Sequence, residues 1–216
     1  MTALEREDVI AHVHDAQRRF LDALDGLDDP TVGRPSLLPG WTVGHVISHV
    51  ARNADSHVRR CEAAARGEIV EQYPGGYAGR AAEIESGAAR PAGELLDDVR
   101  SSAERLESVW ASLPEEAWQM PTIDVGGRER PLTELTSRRW QELEVHVVDL
   151  DLGVTYRDWP DDFVAAWLPR LRASLAARLP ADSKARVAGT IDERAELAWL
   201  YGRLERDDLP VLAPWG

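Results

Sequence analysis

Four residues on two predicted helices are of the types that bind divalent metal ions. His45 and His49 are four positions apart in the stretch that follows Trp41, and Glu142 and His146 are four positions apart later in the chain. Residues at i and i+4 lie on one face of a helix, with their Cβ atoms about 5–6 Å apart. Each pair is therefore placed to bind one ion through two side chains.

One histidine of the first pair would complete a set of two imidazoles and one carboxylate with Glu142 and His146. Such a set leaves coordination positions open for water or a substrate atom, which is typical of catalytic rather than structural metal sites. Periodicity alone does not decide between His45 and His49. His45 falls in the first turn of its helix, where the positive helix terminus disfavours a cation, so this physical argument favours His49.

The same residues also have simpler interpretations. Glu142 and His146 would form an ordinary surface ion pair if no facing helix supplied a third ligand. Glu144 is two positions from Glu142, so it points to a different face of the helix and is expected to be solvated. Cys61 lies on the apolar side of its helix and is expected to be a small core residue. A metal site thus requires that the two helices pack with their polar faces together.

The composition limits the partners of this chain. Its 216 residues include 25 Lys and Arg against 38 Asp and Glu, a net charge of −13. Binding to phosphates needs clustered basic side chains, so no nucleic-acid partner is expected. A single cysteine fits a reducing compartment. We expect no secretory signal, and the sequence contains no apolar run of membrane-spanning length. We expect a cytoplasmic monomer or homodimer that acts on a small molecule and does not bind membranes.

Apolar residues recur at helical spacing in four long segments. These segments predict helices over about residues 4–27, 43–66, 91–113 and 132–152. Thr42 is the expected N-cap of the second helix, and Gly67 and Gly153 are expected to end the second and the fourth. The fold class predicted is mainly α, with a four-helix bundle over residues 1–155 and a small α/β region over 156–216 that completes the active site.

Shorter elements are expected between and after these helices. A helix over 80–88 and a small hairpin closed at 125–128 precede the fourth long helix. In the C-terminal region, Pro169 is expected to kink or split a helix over 161–179. A strand over 186–191 and a helix over 193–205 complete the predicted α/β region.

Three motifs occur in order along the chain. The first is LPGWTVGHVISHVARNA over 38–54, and the second is a Glu-x-x-x-His pattern preceded by arginines and followed by Val-Asp-Leu over 139–150. The third is Trp-Leu-x-Gly-Arg over 199–203, followed by a Leu-Pro…Trp tail. Together they resemble the mycothiol-dependent maleylpyruvate isomerase family, part of the wider group of DinB-like four-helix thiol transferases.

The resemblance implies a set of site residues and cofactors. It implies that His49, Glu142 and His146 bind a divalent metal ion, usually zinc, and that Arg203 is an active-site arginine. It further implies that mycothiol is the thiol cofactor. On this hypothesis the metal lowers the pKa of the thiol, and the thiolate adds reversibly to the cis double bond of maleylpyruvate to yield fumarylpyruvate. Arg203 would bind a substrate carboxylate, and Asn53 would hydrogen-bond a bound ligand.

Asp149, three positions after His146, is expected to orient a neighbouring group through a hydrogen bond. The predicted C-terminal region is shorter than in many family members, where several strands precede the last helix, so the substrate is left open. The first alternative is a mycothiol S-transferase that acts on another electrophile in detoxification or biosynthesis. The second is a non-enzymatic zinc-binding regulatory module. His57 and Cys61, four positions apart, have the spacing expected of the first two zinc ligands in such a module. Ala64 stands where such a module would need its second cysteine.

Overall fold

The computed structural model describes residues 3–180 and 191–213. The helices are α1 (Ala3–Asp22), α2 (Asp29–Val32), α3 (Val43–Ala65), α4 (Gly76–Ala88), α5 (Ala92–Ser112), α6 (Glu115–Trp118), α7 (Glu134–Asp149), α8 (Asp161–Arg178) and α9 (Glu193–Leu200), with a 3-10 helix at Tyr156–Asp158. The strands are β1 (Pro121–Ile123) and β2 (Glu129–Pro131). The chain divides into two compact units, Met1–Leu152 and Gly153–Gly216. The prediction of a mainly helical fold built on four long helices is confirmed.

Helix α3 is the central helix of the first unit and packs against α4, α5 and α7. Its apolar stripe is fully buried at Val46, Ile47, Val50 and Ala54. Burial of an aliphatic side chain of this size contributes about 1.5–3 kcal/mol, so this stripe holds the other helices around α3. Thr42 is the N-cap, as predicted: its hydroxyl oxygen accepts a hydrogen bond from the backbone N–H of His45.

Helix α7 is buried on almost all sides, which the sequence did not indicate. Helix α1 covers one face and α3 covers another. Glu144, expected to be solvated, is only 2% exposed and is paired with Arg19 of α1 and hydrogen-bonded by Trp140. The expectation for Glu144 is therefore wrong. Its face does differ from that of Glu142, but α1 covers that face too.

Two glycines allow α4 to approach α3 closely. A Cβ atom at Gly44 would lie 2.1 Å from the Ala88 carbonyl oxygen, and one at Gly87 would lie 2.3 Å from the Ser48 hydroxyl oxygen. The Ser48 hydroxyl also donates a hydrogen bond of 3.0 Å to the Ile84 carbonyl oxygen. Since close backbone approach of this kind is possible only without side chains, these glycines determine where α4 lies on α3.

The predicted hairpin is present as β1 and β2, which pair antiparallel from Pro121 opposite Pro131 to Ile123 opposite Glu129. Its turn is held by Asp124, whose Oδ1 accepts hydrogen bonds from backbone N–H groups in the turn.

In the C-terminal unit, α8 continues through Pro169 as one helix, so the predicted split does not occur. Proline inside a helix costs about 3 kcal/mol. The buried face of α8 offsets this cost, because Phe163 and Trp167 pack in an aromatic cluster with Trp159 and Tyr201. The predicted strand lies almost entirely outside the described residues, at 186–190. In the described part of the chain no helix is long and apolar enough to cross a membrane.

Candidate metal centre

His49 from α3 and Glu142 and His146 from α7 converge on one point. His49 Nε2 lies 2.9 Å from Glu142 Oε2 and 3.1 Å from His146 Nε2, and the latter two atoms are 3.2 Å apart. Ligand atoms bound to one ion at about 2.0–2.2 Å, at tetrahedral or right angles, lie roughly 2.9–3.4 Å from each other. The three side chains therefore fit a divalent ion of zinc size without rearrangement of the helices.

The two imidazoles are buried and the carboxylate is the more accessible group. The His49 and His146 side chains are 3% and 9% exposed, whereas the Glu142 side chain is 24% exposed. An open side next to three protein ligands is the arrangement found where a metal ion must also bind a water or a substrate atom. We refer to His49, Glu142 and His146 as the triad.

Asp149 holds His146 in one orientation. His146 Nδ1 lies 2.8 Å from Asp149 Oδ2, and the Asp149 side chain is completely buried. A carboxylate at this distance holds a proton on Nδ1, so Nε2 is the nitrogen of His146 that would bind a metal ion at the triad. The sequence placed Asp149 one turn after His146, and the structure shows the contact.

The electrostatics hold two of the three ligand groups, His49 and Glu142, in the deprotonated form that binds a metal. Burial lowers the pKa of His49 to about 4, although hydrogen bonding to Glu142 opposes this effect. Burial would raise the pKa of Glu142, but hydrogen bonds from His146 and His49 outweigh it and hold the pKa well below its usual value. At neutral pH the His49 imidazole is therefore neutral and Glu142 is a carboxylate. Burial would lower the pKa of His146, but hydrogen bonds to Asp149 and Glu142 outweigh it and raise the pKa, so a metal ion would have to displace the proton on His146 Nε2.

His45 has a different function in the fold. Its Nδ1 accepts a hydrogen bond of 3.1 Å from the backbone N–H of Thr42, and its Nε2 lies 3.1 Å from Glu85 Oε2. Together with the hydroxyl of Thr42 this makes a capping box at the start of α3. The structure thus places His49, and not His45, with Glu142 and His146.

Two residues that were not predicted to belong to the site lie beside the triad. Arg80 of α4 has its Nη2 atom 3.3 Å from His49 Nδ1, and the Trp41 ring centroid lies 5.5 Å from that of His49. Trp41 belongs to the first of the three sequence motifs, so that motif could have indicated that Trp41 lies near the triad. Arg80 lies on a separate helix at no informative spacing from His49, and only the packing of α4 reveals it.

Asn53 and Arg139 form a buried connection between helices next to the triad. Arg139 is completely buried and donates hydrogen bonds to the Val50 carbonyl oxygen (2.8 Å), Asn53 Oδ1 (3.0 Å) and Gln17 Oε1 (3.0 Å). These contacts join α7 to α3 and α1 one turn away from the triad. Asn53 is 2% exposed and its amide oxygen is already engaged, while its expected contact with a bound ligand stays a prediction.

Arg203 lies in the C-terminal unit, after α9. It is half-buried, and its Nη1 donates a hydrogen bond of 2.7 Å to the Tyr201 carbonyl oxygen. Its backbone N–H donates to the Ala198 carbonyl oxygen and so closes the end of the helix. Its expected contact with a substrate carboxylate stays a prediction.

Fold and site together define a four-helix-bundle protein with a candidate metal centre between two of its helices. The model of the mycothiol maleylpyruvate isomerase N-terminal domain family matches residues 13–151, and the chain belongs to this family. This match covers α3 and α7 and therefore all three residues of the triad.

Solved structures share the fold. A crystal structure of the mycothiol-dependent maleylpyruvate isomerase aligns with a TM-score of 0.84 at 23% sequence identity, covering 100% of both chains, and a histidine-to-alanine mutant of that enzyme aligns equally well. YfiT from Bacillus subtilis, described as a probable metal-dependent hydrolase with an unusual four-helix bundle topology, aligns with a TM-score of 0.57 at 14% identity over 71% of this chain and 88% of its own. A comparison with curated proteins finds no match.

Proposed function

We propose that this protein is a metal-dependent and mycothiol-dependent isomerase that converts maleylpyruvate to fumarylpyruvate. The convergence of His49, Glu142 and His146 within the matched family domain is the observation that carries the proposal. A fold shared with the mycothiol-dependent maleylpyruvate isomerase supports it.

The triad would hold the divalent ion, with zinc as the proposed metal. With the proton of His146 Nε2 displaced, two neutral imidazoles and one carboxylate would leave the ion with a net positive charge, which would lower the pKa of a thiol bound to it. The hydrogen bond from His146 to Asp149 would keep Nε2 directed to the ion.

Cis–trans isomerisation requires that the double bond of maleylpyruvate becomes a single bond for long enough to rotate. When bound, mycothiol supplies the nucleophile that adds to this double bond and is eliminated again, so the reaction has no net oxidation or consumption of thiol. Arg203 is proposed to bind a substrate carboxylate and to stabilise the negative charge that develops on addition.

The protein's own thiol does not fit the role of this nucleophile. Cys61 is completely buried, and burial raises its pKa to about 12. A thiol must be accessible and deprotonated to react, so Cys61 is a core residue and the reactive thiol has to come from outside.

The direct test is to incubate the purified protein with zinc, mycothiol and maleylpyruvate and to follow the loss of the cis isomer. We expect conversion to the trans isomer, with the rate falling about 100-fold or more when either zinc or mycothiol is left out. Persistence of the cis isomer under all conditions would refute the isomerase. Consumption of mycothiol with a different electrophile would instead establish the S-transferase alternative.

A further inference from the structure

Arg80 presents a guanidinium to the triad without a carboxylate partner. Its Nη2 atom lies 3.3 Å from His49 Nδ1 and 3.5 Å from His49 Nε2, and its guanidinium carbon lies 5.8 Å from the centre of the Trp41 ring. Among the described residues no carboxylate lies within ion-pair distance of this guanidinium. Glu83, one turn further along α4, faces Arg59 instead.

Several other half-buried arginines of the same unit are paired with acidic groups. Arg52 contacts Asp55 and Asp98, and Arg90 also contacts Asp98. Arg80, in a chain with a net charge of −13, is half-buried beside His49 and has no carboxylate within ion-pair distance among the described residues. A desolvated guanidinium is stabilised by an anion, because its donors are matched to carboxylate geometry.

The position of Arg80 is set by the packing of α4 on α3. The hydrogen bond from Ser48 to Ile84 joins the two helices. Ser48 is next to His49 in α3, and Ile84 lies one turn after Arg80 in α4. The Trp41 ring supplies a flat face for the guanidinium, and such stacking restricts the side chain at little cost in entropy. Arg80 is thus held where a ligand at the triad would meet it.

The Arg80 guanidinium lies over the face of the His49 ring. Its Nη2 atom is almost equidistant from Nδ1 and Nε2, at 3.3 and 3.5 Å, whereas a donor on the in-plane lone pair of one nitrogen would lie much farther from the other. The contact therefore leaves Nε2 directed to the triad. A divalent ion at the triad would add positive charge close to the guanidinium, so a loaded triad favours an anion at Arg80.

We propose that Arg80 and Trp41 form a carboxylate-binding subsite beside the triad, which takes one end of a dicarboxylate substrate. The chemistry of the ligand follows from the free guanidinium, whereas its identity as maleylpyruvate rests on the proposed function. Maleylpyruvate carries a carboxylate at each end, and one of them would bind to Arg80.

The experiment measures binding of maleate, a small cis-dicarboxylate, to the zinc-loaded protein by isothermal titration calorimetry. We expect Arg80→Gln to weaken maleate binding about 10- to 100-fold, because a charge-assisted pair of hydrogen bonds is lost. Arg80→Lys keeps the charge but not the planar fork and should fall in between. Arg59→Gln is the matched control: it removes another half-buried arginine that stacks on an aromatic ring, Tyr73, and it should change the affinity less than twofold.

Metal content is measured in every variant and is expected to equal that of the wild type, because Arg80 is not a ligand. The subsite is refuted if Arg80→Gln binds maleate like the wild type, if Arg59→Gln weakens binding equally, or if the loaded wild-type protein does not bind maleate. Binding through Arg80 without isomerisation of maleylpyruvate would refute the proposed reaction and support the subsite.

Discussion

Replacement of His49 by alanine is expected to lower the metal content of the purified protein from about one ion per chain to less than about 0.1. Three protein ligands are the usual number in a catalytic metal site, and the pair left on α7 would hold an ion only weakly. Isomerase activity should fall with the metal. Elemental analysis after dialysis against metal-free buffer measures the content, and circular dichroism checks that the helices remain.

His45→Ala is the matched control for this variant, since it removes a histidine from the same helix one turn earlier. The substitution breaks the capping box at Thr42 and should cost about 1 kcal/mol of stability. It should leave the metal content unchanged. Full metal content in His49→Ala, or an equal loss in His45→Ala, would contradict the assignment of His49 as a ligand.

Replacement of Arg139 by methionine is expected to destabilise the metal-free protein by about 3 kcal/mol. Methionine fills a similar volume but leaves the buried oxygens of Asn53 and Gln17 without this donor, and the Val50 carbonyl oxygen with only its bond inside α3. Each buried acceptor that loses its hydrogen bond costs about 1–3 kcal/mol, partly offset by removal of a buried charge. Urea denaturation followed by circular dichroism measures the loss.

Arg60→Met provides the comparison for Arg139→Met. Arg60 is also buried, at 4% exposure, but its hydrogen bonds run to Ser56 on its own helix. Its loss should cost only about 1 kcal/mol, because no contact between helices is broken. Equal effects of the two substitutions would show that Arg139 does not join α7 to α3 and α1 as the geometry indicates.

The spacing of residues along one helix is sufficient to predict the features that belong to that helix alone. The apolar stripe and the Thr42 cap of α3, and the i, i+4 pair on α7, are all properties of a single helix. Selection of His49 over His45 is different, because it depends on which turn of α3 faces α7. The position of His45 in the first turn of α3 favours His49 only weakly, and the family resemblance implies His49 more strongly.

Features that depend on three or more elements were not accessible from spacing. Glu144 is buried because α1 covers a face of α7 that reads as polar, and Arg139 is buried because amide and carbonyl oxygens from two helices replace water around it. The approach of Arg80 to His49 depends on the contact of α4 with α3 at Gly44 and Gly87. In each case a polar side chain is expected to be exposed, but the packing of neighbouring helices covers it fully or in part.

X-ray absorption spectroscopy at the zinc edge tests most directly whether the triad binds a metal that in turn binds mycothiol. For the loaded protein we expect two imidazoles and carboxylate or water oxygens at about 2.0–2.2 Å, and after addition of mycothiol one sulfur at about 2.3 Å. Because Cys61 is the only cysteine of the chain and is buried, a sulfur that appears on this addition would come from mycothiol. A spectrum without imidazole scattering, or one that mycothiol leaves unchanged, would contradict the proposed function.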